Sequence, residues 1–226
     1  MAYVVWAAGA VLVVGVLFRV ILYLTTPRGF PAVLTPAPTT RWGVALRVLL
    51  EVVAFRALLR ADRIGWLLAI AFHYALLLVL VRHLAWFSDT SFGFLGAVVA
   101  WQWPAFVLVA STFGLLLRRL LSERHRYIST VSDFLWLALI GLIATSGMLM
   151  WSFGLDAIGA VRTFTLGLGD GVAQPTPRHA VFLVHVGFAC VLIVLFPFSK
   201  LLHAVGIALT PSRAERDRAR RVRDRT

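Results

Sequence analysis

Four histidines lie inside long apolar runs of this chain, two in each of two runs. His73 and His83 stand in IAFHYALLLVLVRHLAWF, and His185 and His203 in RHAVFLVHVGFACVLIVLFPFSKLLH. An ionisable ring in so apolar a setting is expensive and marks a functional site. His185 and His203 are eighteen residues apart. That spacing is five whole turns, so one continuous α-helix would present both rings on one face, about 27 Å apart along its axis. His73 and His83 are ten residues apart, which is about 15 Å of rise and a difference in direction of about 80°. Two such helices, each with a histidine toward either end, suit the clamping of two cofactors at different depths. The chemistry that wants two facing neutral imidazoles in an apolar surround is bis-histidine ligation of haem b. With both axial positions filled, that arrangement carries electrons rather than substrates. The alternative is a His-lined proton relay or metal path, against which the runs offer almost no carboxylates to share the protons.

The elements that must position these rings are read from composition. The 226 residues are 60% hydrophobic and 14% charged, with a mean hydropathy of +0.87. Soluble domains are less than half apolar and about a quarter charged, so the chain is an integral membrane protein. Its net charge of +12 falls between and after the apolar runs, which is the pattern of cytoplasmic loops and not of a nucleic-acid face. Cys190 is the single cysteine. One cysteine excludes an intramolecular disulfide, an iron–sulfur cluster held within this chain and c-type haem attachment. In mid-span it is a small apolar filler.

Five apolar runs are long enough to span a bilayer: residues 2–24, 64–87, 94–117, 132–153 and 178–203. The expected fold is an all-α bundle of five transmembrane helices occupying residues 1–210, followed by a basic cytoplasmic tail at 211–226. Arg19, one turn from the end of span one, is read as snorkelling to the interface. Between spans one and two, four prolines mark a loop. After them, residues 41–63 place arginines at helical spacing beside an apolar face, the pattern of a cytoplasmic amphipathic helix that lies on the membrane surface or docks a partner protein. The glycines and prolines of 154–177 read as a loop. Lys and Arg crowd the segments after spans one, three and five, which puts the N-terminus outside and the C-terminus in the cytoplasm. Depth then pairs His73 with His203 toward the cytoplasm and His83 with His185 toward the outside.

At the outer end, Arg82, Asp89 and His179 are polar groups within reach of a quinone headgroup. Arg82 is costly inside a span unless paired, and a haem propionate is the simplest partner. His125, in an arginine-rich segment, reads as solvated.

The blocks FHYALLLVLVRHL and FLVHVGFACVLIVLFPFSKLLH resemble the nitrate reductase gamma-subunit superfamily of five-helix, dihaem b membrane subunits. The resemblance covers most of the chain and is strongest in its C-terminal third. It implies two haem b groups held by His73–His203 and His83–His185, a quinone or quinol substrate near the outer haem, and a cytoplasmic iron–sulfur partner that receives or supplies electrons. The chain would then be the quinone-oxidoreductase subunit of a respiratory complex in a bacterial or archaeal inner membrane, without a complete active site for the terminal substrate. The basic stretch 41–63 and STVSDFLWLALIGLIATSGMLM resemble instead the relatives that serve heterodisulfide-reductase-like or sulfite-reductase-linked complexes.

Overall fold

The computed structural model describes residues 1–26, 37–87, 102–152 and 155–203, and every regular element among them is helical. In chain order these are α1 (Ala2–Thr25), α2 (Arg41–Ala54), α3 (Arg56–Ala61), α4 (Arg63–Leu84), α5 (Trp103–Leu121), α6 (Glu123–Ile128), α7 (Val131–Leu149), α8 (Leu155–Asp170) and α9 (Ala180–Leu195). Helices α1, α4, α5, α7 and α9 with its extension to Phe198 are long and apolar enough to cross a membrane. Leu77, Leu80, Leu117, Leu142 and Val191 are exposed on them. Outward-facing Leu and Val suit a hydrocarbon solvent, and only helices satisfy every backbone group there. The expected five spans are therefore present in an all-α chain. The basic tail at 211–226 and Asp89 lie outside the described residues.

By its internal contacts the chain falls into two compact units, residues 1–11 with 67–194, and residues 12–66 with 195–226. In the first unit α5 and α7 run antiparallel. The packing follows from small residues: a Cβ on Gly141 would already meet Thr112 at 3.5 Å and Phe113 at 3.8 Å. Thr112 is fully buried and turns its hydroxyl back onto the carbonyl of Leu108 at 2.6 Å. Nearer the end of the pair, Phe106 meets Trp151 edge to face at 5.8 Å. Helix α7 begins where its sequence allows. Thr130 and Asp133 form a capping box, with the Thr130 N–H donating to Asp133 Oδ2 at 2.8 Å, so two otherwise orphaned donors are satisfied.

The segment expected as a loop at 154–177 contains α8, a sixteen-residue helix. Its glycines argue against helix, but Val161, Phe164 and Leu168 recur at helical spacing. Val161 and Phe164 form a core with Ala2 and Phe182, against which Trp6, Trp86, Leu168 and Val186 pack. Tertiary burial overrides local propensity here. The helix stops at Gly171, whose φ of +75° lets the Val172 N–H return to the Gly167 carbonyl at 2.8 Å, a Schellman closure.

Two expectations in the second unit are corrected. The stretch 41–63 is helical but not one helix. Phe55 adopts φ 47°, ψ 45°, and the chain restarts as α3, whose Ala57 N–H donates to Glu51 Oε2 at 3.1 Å. The Trp66 indole N–H donates to the Ala54 carbonyl at 2.8 Å and ties the break to the start of α4. The fifth span is also interrupted. After Leu195 it tightens into a 3₁₀ turn, Phe196–Phe198, opens at Ser199 (φ −107°, ψ 168°), and makes a second 3₁₀ turn, Lys200–Leu202. Pro197 cannot donate to the helix ladder and forces the change. A 3₁₀ turn has a different period and rise, so the five-turn argument that put His185 and His203 on one face does not hold.

Candidate functional site

His83 projects from the last turn of α4 and His185 from the second turn of α9, both in the first unit. Their rings are parallel, 12° between planes, with centroids 6.2 Å apart. Both are partly buried.

Each ring is held by its Nδ1. His83 Nδ1–H donates to the Val79 carbonyl, four residues back on its own helix, at 2.7 Å. His185 reaches across to α7, where Nδ1 lies 3.0 Å from the Ile143 carbonyl and 3.1 Å from Ser146 Oγ. A carbonyl only accepts, so in both rings the proton sits on Nδ1 and Nε2 keeps its lone pair. That is the tautomer of a metal-ligating imidazole with an oriented partner. Ser146 sends its own hydroxyl proton back to the Leu142 carbonyl at 2.8 Å, which leaves its oxygen free to accept from His185.

Gly147 makes this approach possible. A Cβ there would stand 3.1 Å from His185 Cε1 and 3.5 Å from Nδ1. Ile143, Ser146 and Gly147 did not emerge from the histidine spacing. The signal that could have found them is Ala144-Thr145-Ser146-Gly147, a run of small residues where a span lets a neighbour come close.

Whether the two rings fit a haem iron is a question of distance. An imidazole nitrogen sits about 2.0 Å from a bound transition metal, and its ring centroid lies little more than 1 Å behind it. Two imidazoles on opposite sides of one metal have centroids about 6.3 Å apart, so the observed 6.2 Å is a separation that leaves room for one metal between the rings. The donor set fits too. Among the described residues no three of His, Cys, Asp and Glu group to hold a bare ion. A porphyrin supplies four of the six donors and asks the protein for two.

His73 shares the tautomer, its Nδ1 lying 2.7 Å from the Ala69 carbonyl on α4. His203 is exposed at the end of the second 3₁₀ turn, with Nδ1 3.0 Å from the Lys200 carbonyl. His73 belongs to the first unit and His203 to the second. Arg82 directly precedes His83 and is partly buried, and His179 is exposed immediately before α9. His125 lies in α6, 2.8 Å from Ser122 Oγ.

Helix α8 lies against the end of α4 just beyond His83. Arg162 Nη1 donates to the Ala85 carbonyl at 3.0 Å, and Gly169 packs on the Phe87 carbonyl so closely that no Cβ would fit. The Trp6 indole N–H donates to the Leu168 carbonyl at 3.1 Å and fixes the other side of α8.

No family model matches the chain. Among characterised proteins it is similar to the Hdr-like menaquinol oxidoreductase cytochrome b-like subunit of Archaeoglobus fulgidus, with 33% identity over 92% of this chain and 76% of the relative. The protein of the same description from Archaeoglobus profundus is also 33% identical, over 78% of this chain and 61% of its own length. Of the two branches anticipated from sequence, these relatives support the heterodisulfide-reductase-like one. A multi-pass helical chain, with two parallel histidine rings near one end of its bundle-forming spans and this degree of identity along most of its length, belongs to the family of Hdr-like menaquinol oxidoreductase cytochrome b-like subunits.

Proposed function

We propose that the chain is a dihaem b subunit that moves electrons between a membrane quinol and a cytoplasmic iron–sulfur partner of an Hdr-like complex. The observation that carries the reading is the His83–His185 pair, parallel at 6.2 Å, with both Nδ1 protons engaged. These two would hold one haem b, and His73 with His203 the other, as the sequence resemblance implies. A haem b so ligated supplies a one-electron iron centre with no open coordination position.

The chain's own residues then have defined tasks. The Val79 and Ile143 carbonyls and Ser146 orient the two rings and raise the basicity of Nε2. Arg82 is a cation one residue from His83, suited to a haem propionate. Helix α8 covers the end of α4 next to the site. On the arginine distribution, the His83–His185 end faces outward, the C-terminus is cytoplasmic, and α2 and α3 lie on the cytoplasmic surface beside lipid or the partner. A quinol that delivers two electrons to the chain releases its two protons on the outer side, and the electrons leave inward to a one-electron acceptor of the partner.

Reduced-minus-oxidised spectra of the purified chain test this. Wild type should show b-type bands from two haems. His83→Ala and His185→Ala should each remove the same one, and His73→Ala and His203→Ala the other. A colourless protein, or loss of one and the same signal from all four variants, sinks the assignment.

A further inference from the structure

Helix α2 is inverted with respect to water. Trp42, Leu46, Leu49 and Val53 follow one another at steps of four, three and four residues, the spacing of a single helix face. They are 79%, 46%, 55% and 46% exposed. Val44, Arg47 and Glu51 share the other side of the helix, where Val44 is buried and the two charged residues are half-buried. An ordinary surface helix buries its apolar stripe and shows its charges. Here the stripe faces outward and needs an apolar cover from outside the chain.

The depth of this stripe is set by a span. The Trp66 indole N–H, in the first turn of α4, donates to the Ala54 carbonyl at the end of α2, at 2.8 Å. Helix α4 is one of the five spans and starts at Arg63. Its first turn marks the boundary between headgroups and hydrocarbon, a depth that tryptophan favours. The end of α2 is held at that boundary. From Val53 the exposed apolar surface continues through Leu59 to Ile64, 37% and 68% exposed, and so into the lipid-facing surface of α4.

The charges fit the same cover. Residues 41–63 hold five arginines and two carboxylates, Glu51 and Asp62. Both carboxylates are half-buried and turned onto backbone: Ala57 N–H donates to Glu51 Oε2 at 3.1 Å, and Gly65 N–H to Asp62 Oδ1 at 3.0 Å. The exposed charges of the stretch are Arg41, Arg56, Arg60 and Arg63, all cationic. Arg56 and Arg60 are four residues apart and share a face of α3. An outward apolar stripe flanked by cations complements a leaflet of anionic headgroups over hydrocarbon. The tie to the first turn of a span favours the bilayer over a soluble protein as the cover.

We infer that α2 and α3 form a binding surface for anionic phospholipid. The Trp42–Val53 stripe is set among the acyl chains, and Arg41, Arg56, Arg60 and Arg63 meet the phosphates. The inference rests on the proposed function only for the choice of the cytoplasmic leaflet.

The test uses the full chain, without any partner, in nanodiscs of phosphatidylcholine with or without phosphatidylglycerol. A nitroxide on Leu49→Cys, in a Cys190→Ser background, reports collisions with oxygen, which concentrates in hydrocarbon, and with a water-soluble nickel chelate. A label on Leu77→Cys, exposed within α4, is the in-bilayer reference. The Leu49 label should share its preference for oxygen, and Val53→Cys repeats the reading if Leu49→Cys does not fold. Nickel access at the α2 positions overturns the inference and marks the stripe as the seat of a soluble partner. For the cations, energy transfer from Trp42, defined by a Trp42→Phe control, is compared between pyrene-labelled phosphatidylglycerol and pyrene-labelled phosphatidylcholine. Wild type should favour the anionic lipid, less so as salt rises. Arg56→Gln with Arg60→Gln should lower that preference about fivefold for each charge at the headgroups. No preference in wild type, or an unchanged one in the double variant, overturns the anionic assignment. Haem is read separately from spectra: a chain that binds none removes the proposed function, whereas the labels and energy transfer speak to this surface.

Discussion

Replacing Gly147 by alanine separates the positioning of His185 from the stability of the helix that positions it. The added Cβ would lie 3.1 Å from His185 Cε1, some tenths of an ångström inside ordinary van der Waals contact. If the ring retreats from α7 by about 0.4 Å, its bonds of 3.0 Å to the Ile143 carbonyl and 3.1 Å to Ser146 Oγ stretch past the limit of about 3.2 Å at which such bonds hold. The lost hydrogen bond costs about 1 kcal/mol. Exchange of glycine for alanine inside a helix returns about 0.8–1.0 kcal/mol. The two nearly cancel, so the folded chain should be about as stable as before.

Ligation should not be spared. Disturbing the group that orients a metal-bound imidazole typically lowers affinity or function 10- to 100-fold. Gly147→Ala should therefore keep its unfolding free energy within about 1 kcal/mol of wild type and bind the haem proposed at His83 and His185 10- to 100-fold more weakly in a haemin titration. Gly159→Ala in α8 is the control, since nothing stands within 4 Å of a Cβ at that position. It makes the same chemical change on a helix and should leave both haems untouched. Unchanged affinity for both haems in Gly147→Ala would refute the claim that α7 positions His185. Equal weakening of both, with a matching drop in stability, would mean that the substitution acts on folding alone.

Two further outcomes follow from the ends of the chain's elements. Arg162→Met deletes the bond to the Ala85 carbonyl, a charged-donor bond of at most about 1.5–3 kcal/mol, and should speed amide exchange in α8 while α5 and α7 keep their protection. Exchange rates unchanged in α8 would show that its apolar core alone holds it. Truncation after Pro211 removes Arg213, Arg216, Arg218, Arg220, Arg221, Arg223 and Arg225. It should leave both haem spectra as they are but let the partner complex dissociate at lower salt, and loss of haem on truncation would refute a tail that serves only the interface.

The spans were legible because an apolar solvent imposes length and composition on every segment that crosses it, and no other element competes for that signature. The histidines were legible for the same reason, since polar rings stand out in such runs. The failures have local causes. Helix α8 was hidden by Gly159, Gly167 and Gly169, whose weak propensity outweighed the spacing of Val161, Phe164 and Leu168 that its core uses. The interruption at Phe196–Phe198 follows from Pro197, but how far one proline displaces the residues beyond it depends on the 3₁₀ turns around it. The contribution of α7 was invisible because a contact between helices leaves no period in either sequence. Only the run of small residues at 144–147 hinted at it.

The two facing rings are anchored unequally. His83 is bonded to Val79 on its own helix, so it moves with α4 as a rigid projection. His185 is bonded to Ile143 and Ser146 on α7, so its direction depends on how α9 packs on its neighbour. The gap between the rings is therefore set by three helices rather than two. Helix α8 adds a fourth through Ala85 and Phe87, just past His83. An arrangement of this kind keeps one ring fixed and lets the packing around the other adjust the pair.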